Sequence, residues 1–183
     1  MEVIATEASV SKQTVYKNYG DKESLFREMA MRTLTSVIEP FHEVISQLVT
    51  TDDVSSALRE FGRVYIKTVI SADLLRRRQV IVREAGRFPD LAREYYDGAP
   101  RRTQERLAEA FEAIAERGEL RVDDPQVAAT HFSFLILGSP LDIAMFTGYQ
   151  TEWSDEKLTA IADAGVDVFL RAYGAPAEPD VSG

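Results

Sequence analysis

The feature that most constrains this chain is the spacing of its apolar residues. They recur at steps of three and four and never alternate with period two over a strand's length. From Ser154 to Tyr173 the stripe runs Leu158, Ile161, Ala162, Gly165, Val168, Phe169 and Ala172, the one-sided pattern of an amphipathic helix. There is no internal repeat or low-complexity block, so the sequence predicts an all-α fold. Breaks are expected at Thr50–Asp53, Gly86–Pro89, Gly98–Pro100, Gly118–Pro125, Gly148–Ser154 and from Gly174 onward. Asp124 before Pro125 predicts a helix start, because the carboxylate accepts from first-turn N–H groups and proline at the first helical position has none to waste. Ser154 followed by Asp155 and Glu156 predicts another, with two carboxylates at the positive helix end. The tail Pro176–Gly183 has little to bury, and 175–183 is expected to be disordered.

The run Val127–Phe146 is apolar nearly all round and close to a bilayer's span in length. His131, Gly138, Pro140 and Asp142 lie inside it, and a carboxylate near mid-membrane costs a few kcal/mol. A helix buried between other helices is the simpler expectation, with no membrane partner. Two uses remain open for helices 125–148 and 154–173. They either close the monomer core or form a four-helix dimer interface, with Gly165 admitting a close neighbour. The four-helix interface is the reading favoured here.

The net charge of −9 is unevenly spread. Residues 1–32 balance Lys12, Lys17, Lys22, Arg27 and Arg32 against Glu2, Glu7, Asp21, Glu23 and Glu28, so the whole deficit falls on the remainder. Ser9–Tyr19 holds two lysines and no acid, a surface able to approach phosphates. The arginines Arg76, Arg77, Arg78, Arg83 and Arg87 suggest a second such surface, but Glu84 and downstream acids make a salt-bridged helix face the better expectation. The absence of cysteine excludes disulfides, thiolate metal sites and a thiol nucleophile, and fits a cytoplasmic protein. With only His42 and His131, no G-x-S-x-G elbow and no phosphate-binding glycine loop, no catalytic residue, metal or cofactor is called for.

Chemistry concentrates at the start. Val3–Ala8 reads as the end of one helix, Ser9–Val10 as a tight turn, and Ser11 as the cap of a second helix running to about Asn18. Ile4, Val10 and Val15 are expected to form the apolar corner between them. Lys12, Gln13, Thr14 and Lys17 are then left outward, side chains suited to base edges and phosphates. Tyr16 is assigned to phosphate contact and Tyr19 to packing. Gly20-Asp21-Lys22-Glu23 marks the next helix, capped by Asp21. Lys22 falls in its first turn, where a cation is disfavoured by the helix dipole, so an anionic partner is expected, either phosphate or a neighbouring carboxylate.

The run from Ile4 to Leu25, IATEASVSKQTVYKNYGDKESL, resembles the DNA-binding head of the TetR family of bacterial regulators. Ser9 stands where the family's turn glycine is usual and Tyr19 where phenylalanine is typical. A serine in a left-handed turn costs ~1 kcal/mol. RRQVIVREAGRFPDLAREYYDGAP and AERGELRVDDPQVAATHFSFLILG resemble the C-terminal domains of the AefR-like subgroup, so the resemblance spans nearly the whole chain.

The resemblance implies a ligand-responsive transcriptional regulator, usually a repressor and not an enzyme. It would bind double-stranded operator DNA as a homodimer through helices 125–148 and 154–173. Residues 1–20 would be the helix-turn-helix head, with Ser11, Lys12, Gln13, Thr14, Tyr16, Lys17 and Lys22 facing DNA. Residues 21–174 would form the ligand-binding and dimerisation domain. In it, a connecting helix from Asp21 to about Leu48 carries the stripe Phe26, Ala30, Leu34, Ile38, Phe41, Ile45 and Leu48, with a kink near Glu39 caused by Pro40. A small-molecule effector would sit between helices 53–71, 73–85, 101–117 and 125–148, against Phe61, Tyr65, Val69, Phe111, His131, Phe132 and Ile136. Heads of this family have three helices, and the first would lie upstream of Val3. The expectation is therefore an incomplete head, and the alternative reading is a dimeric ligand-binding module without effective DNA binding.

Overall fold

The structure, a computed structural model, describes residues 1–175; the tail call on 176–183 lies outside the described residues. Among the described residues ten α-helices follow in order: α1 Glu2–Glu7, α2 Lys12–Tyr19, α3 Lys22–Thr33, α4 Glu39–Gln47, α5 Val54–Val69, α6 Ala72–Glu84, α7 Pro89–Tyr96, α8 Arg102–Glu116, α9 Pro125–Phe146 and α10 Asp155–Tyr173. Among the described residues there is no strand, only an isolated antiparallel bridge between Leu120 and Gly174. Sequence and structure agree on an all-α fold. The expected caps form as written: the Asp124 carboxylate accepts from Gln126 and Val127 N–H, and Ser154 Oγ from Lys157 N–H.

Two wide, π-helical turns interrupt the regular helices, Leu34–Ile38 between α3 and α4 and Asp97–Arg101 between α7 and α8. The first comes from Pro40, which sits in the first turn of α4. A proline there has no N–H to donate to the carbonyl four residues back, so the turn before it widens and the connecting helix continues. The second corrects the sequence reading. Gly98–Pro100 is not a break: Pro100 falls inside the wide turn, and the helix runs on into α8.

The buried side chains form two clusters. The larger joins α4, α5, α8, α9 and α10 around Phe61, Phe111, Phe132 and Phe169. Its rings touch in sequence, with Phe61–Phe132, Phe111–Phe132 and Phe132–Phe169 centroids at 5.8, 5.5 and 5.1 Å. The smaller gathers Phe26, Ala30 and Ile38 against Ile81, Leu91, Tyr95 and Ala99 of α6, α7 and the second wide turn. The connecting helix is thus shared: Phe26, Ala30 and Ile38 enter the small cluster, while Phe41, Ile45 and Leu48 enter the large one.

Helix α10 lies along both α5 and α9. Towards α5 it is lined by the ion pairs Arg59–Asp167, Arg63–Asp163 and Lys67–Asp155. Towards α9, Gly165 permits a close approach: a Cβ there would lie 3.0 Å from the Leu135 carbonyl oxygen, tighter than an ordinary contact. Most of the stripe read from the sequence of α10, Leu158, Ala162, Gly165 and Phe169, is therefore used inside the monomer. Val168 and Ala172 stay exposed.

Candidate nucleic-acid interface and effector cavity

Helices α1 and α2 make a helix-turn-helix corner. Ala8 ends α1, Ser9 takes the left-handed conformation at φ 53°, and Val10 N–H returns to the Ala5 carbonyl at 2.9 Å. Ser11 caps α2, its Oγ accepting from Thr14 N–H at 3.0 Å. The corner closes on Ala5 and Val15, each 4% exposed; the expected contributions of Ile4 and Val10 fail, since these remain 37% and 43% exposed. The short turn fixes how α1 crosses α2, and that crossing covers Ala5 and Val15 while leaving the two larger side chains outside. Gly20, at φ 72°, then turns the chain into α3, where Asp21 Oδ1 accepts from Ser24 N–H at 2.7 Å.

The outward face of α2 is as expected, with Ser11, Lys12, Gln13, Thr14, Tyr16 and Lys17 exposed and Tyr19 half-buried. Two of its neighbouring cations have partners in the free protein. Lys12 pairs with Glu2, which raises the lysine pKa and lowers that of the carboxyl through their hydrogen bond and charge attraction. Lys22 reaches Glu84 of α6 at 3.3 Å, which resolves its need for an anion as a carboxylate. Glu84 was expected to serve the arginine run and instead holds the connecting helix. Arg27 makes the matching link to Glu94 of α7 at 2.6 Å.

The expected ligand residues separate into three groups. Phe61, Phe111, Phe132 and Ile136 are fully buried in the large core. His131 points outward, its Nδ1 2.6 Å from the Tyr173 hydroxyl. Tyr65 and Val69 alone line a cavity of about 180 Å³. That cavity lies where α5, α6, α8 and α9 meet both wide turns, which contribute Ile38 on one side and Ala99 and Pro100 on the other. Its polar groups come from Arg78, Tyr95, Tyr96, Thr103, Gln104 and Ser133; the sequence reading assigned none of them to a ligand and considered Arg78 only as part of the arginine run. Helical spacing gives the buried face of each helix; which part of that face borders a void depends on how neighbouring helices fail to fill it. The polar interruption of an apolar run was a usable signal for Ser133, flanked by Phe132 and Phe134.

The cavity touches the connecting helix through side chains. Tyr65 presents its hydroxyl to Ser133 Oγ at 3.4 Å, while its ring stacks on Phe41 of α4 at 5.2 Å. Thr103, on the wall, bonds His42 Nε2 of α4 at 3.2 Å. Burial, and then the Arg106 and Arg102 charges, hold the His42 pKa below the ordinary value of 6.5, with Glu39 acting the other way.

A third surface runs along α9 and α10. Val127, His131, Leu135, Ile143 and Phe146 form an exposed row on α9, and Ala164, Val168 and Ala172 another on α10. The His131–Tyr173 bond and the approach of Gly165 to Leu135 lay the rows side by side. Phe146 is 82% exposed and Phe134 66%. Pro125–Phe146 is long and apolar enough to cross a membrane by length and composition alone. Its buried face, including Phe132 and Ile136, is nevertheless occupied by the protein's own core.

A helix-turn-helix corner on a connecting helix, over a helical body with an internal cavity, defines a class: two-part helical transcriptional regulators. Residues 56–175 match the family model of the AefR-like transcriptional repressor C-terminal domain. The chain therefore belongs to the TetR family of transcriptional regulators, in its AefR-like branch. A TetR-family protein from Mesorhizobium loti MAFF303099 shares 36% identity at a TM-score of 0.86, over 95% of this chain and 86% of that one. The flavonoid-responsive regulator FrrA shares 32% at 0.66, over 97% and 87%. Thermus thermophilus FadR, solved with lauroyl-CoA, has the same fold at 22% identity and a TM-score of 0.58, over 97% of this chain and 88% of that one. A search of curated proteins finds no significant match.

Proposed function

We propose that this protein is a cytoplasmic, homodimeric repressor whose affinity for double-stranded operator DNA changes when a small molecule fills the cavity. In this reading residues 1–20 are the DNA-binding head and 21–174 the ligand-binding and dimerisation domain. Gln13, Tyr16 and Lys17 meet DNA directly, supported by Ser11 and Thr14. Lys12 and Lys22 exchange their carboxylate partners for phosphates. The exposed rows of α9 and α10 form the dimer contact.

The observation that carries the reading is the sharing of residues between cavity and connecting helix: Ile38 is a wall of the first and belongs to the second. A ligand that presses on Ile38 and Tyr65 favours one setting of the connecting helix over another. It can shift the equilibrium only by its difference in affinity for the two settings. Because half-sites must lie about one helical turn of DNA apart, or a multiple of it, a small change in head separation alters operator affinity. FrrA, a flavonoid-responsive regulator at 32% identity, supports the reading.

Selection from random duplex DNA followed by anisotropy titration tests it. The full chain should enrich a two-fold symmetric site, and replacing Lys12 and Lys17 by Gln should reduce the log–log salt slope by roughly two. Light scattering should give twice the 20.5 kDa chain mass. A monomer that enriches no sequence would overturn the reading.

A further inference from the structure

Resting on that reading of the cavity as an effector site, we propose that its ligand is a single-ring organic acid whose carboxylate is bound by Arg78. The size follows from the space. A cavity of about 180 Å³ is below the roughly 300–1,000 Å³ of drug-sized sites, while an apolar void of about 150 Å³ holds benzene. One ring with one small substituent fills it.

The charge follows from the wall. Among the described residues Arg78 is the one charged residue lining the cavity, and no carboxylate lines it. On the same helix, Arg77 bonds Asp73 at 2.7 Å and Thr33 at 3.2 Å, and Glu84 holds Lys22; Arg78 is the α6 arginine that lines the cavity. Among the described residues Arg78 has neither an ion pair nor a side-chain hydrogen bond. Arg78 is half-buried and shares the cavity wall with Leu74, Leu137 and Leu141, so among the described residues it is a cation without its anion, in a chain of net charge −9. The guanidinium fork matches a carboxylate in geometry as well as in sign.

The remaining polar groups complete the site. Burial raises the pKa of Tyr65 and Tyr95, opposed in both by the nearby Arg78 charge, so their hydroxyls stay protonated and can donate. Tyr65, Ser133 and Thr103 thus supply hydroxyls around the acid, and Ile38, Leu137 and Leu141 receive the ring. This arrangement favours an aromatic acid over its neutral amide, because the amide leaves the guanidinium unpaired.

Calorimetric titration of the full chain with benzoate and with benzamide decides the matter. Benzoate should bind at least tenfold more tightly than benzamide, the range for a hydrogen bond to a charged group. Arg78→Met should remove that preference and leave benzamide binding unchanged, while Arg78→Lys should retain part of it; melting curves establish that both variants fold. Equal binding of the two probes to the natural chain, or a preference that survives Arg78→Met, overturns the acid proposal and leaves the effector cavity standing. Binding of neither probe overturns the acid proposal and the effector reading of this cavity together.

Discussion

The N-terminal helix pair and the aromatic core of the body are built on opposite principles. The corner of α1 and α2 buries only Ala5 and Val15, and its definition comes from local devices: a left-handed serine, a serine cap and a glycine turn. The body buries four phenylalanines from α5, α8, α9 and α10 in mutual contact. The difference teaches where each part's information lies. A reading surface needs polar side chains held outward at fixed spacing, which short-range chemistry can do. A core that must also enclose a cavity needs contacts between residues far apart in the chain.

The comparison can be broken most directly at Phe132. Its truncation to Ala should cost about 3–5 kcal/mol, because the site is surrounded by three rings and cannot collapse easily; urea unfolding by circular dichroism would show it. If the loss were under 1 kcal/mol, the aromatic cluster would not be the body's main support. Gly165→Val comes next, at roughly 1–3 kcal/mol, since the added Cβ meets the Leu135 backbone and must part α9 from α10. The expected readout is a lowered melting temperature.

In the helix pair the changes should be smaller and local. Ser11→Ala removes the cap of α2 and should cost about 1 kcal/mol, read by amide hydrogen exchange in α2 with protection in α8 and α9 unchanged. Ser9→Gly should act in the opposite sense, relieving the left-handed strain of about 1 kcal/mol. A loss of protection in α9 from Ser11→Ala would show that the two regions are more tightly coupled than their packing implies.

The smallest effect concerns His42, at the join between connecting helix and cavity wall. Its pKa is depressed in the folded state, so the unfolded chain binds the proton more readily. Stability from this residue is complete above 6.5 and declines as pH falls below that value towards the folded pKa. The facing groups are Arg102, Arg106, Thr103 and Glu39. Replacing His42 with Gln should flatten the melting temperature between pH 7 and 5; an unchanged slope would remove His42 as its source.

Much of this was legible in advance, for definite reasons. Asp124 and Ser154 start helices in the structure because a cap acts within three residues of itself. Of the connecting-helix stripe, the Leu34 side chain lies outside the described residues; Phe26, Ala30, Ile38, Phe41, Ile45 and Leu48 are buried because 3.6-residue periodicity survives the wide turn before Pro40. Gly98–Pro100 was misread because a wide turn accommodates a proline that would stop a regular helix. Ile4 and Val10 were misplaced because being apolar does not determine which of several apolar residues a tight corner can cover.

The sequence by itself determined the all-α fold, the helix starts, the outward side chains of α2 and the family. Each follows from interactions within a turn or two of helix, or from a contiguous motif. The tertiary structure alone decided that Lys22 would hold Glu84, that His131 would face outward, and that Arg78 would stand at the wall of a cavity. Those outcomes depend on where helices separated by tens of residues meet, and on the space that their side chains leave unfilled.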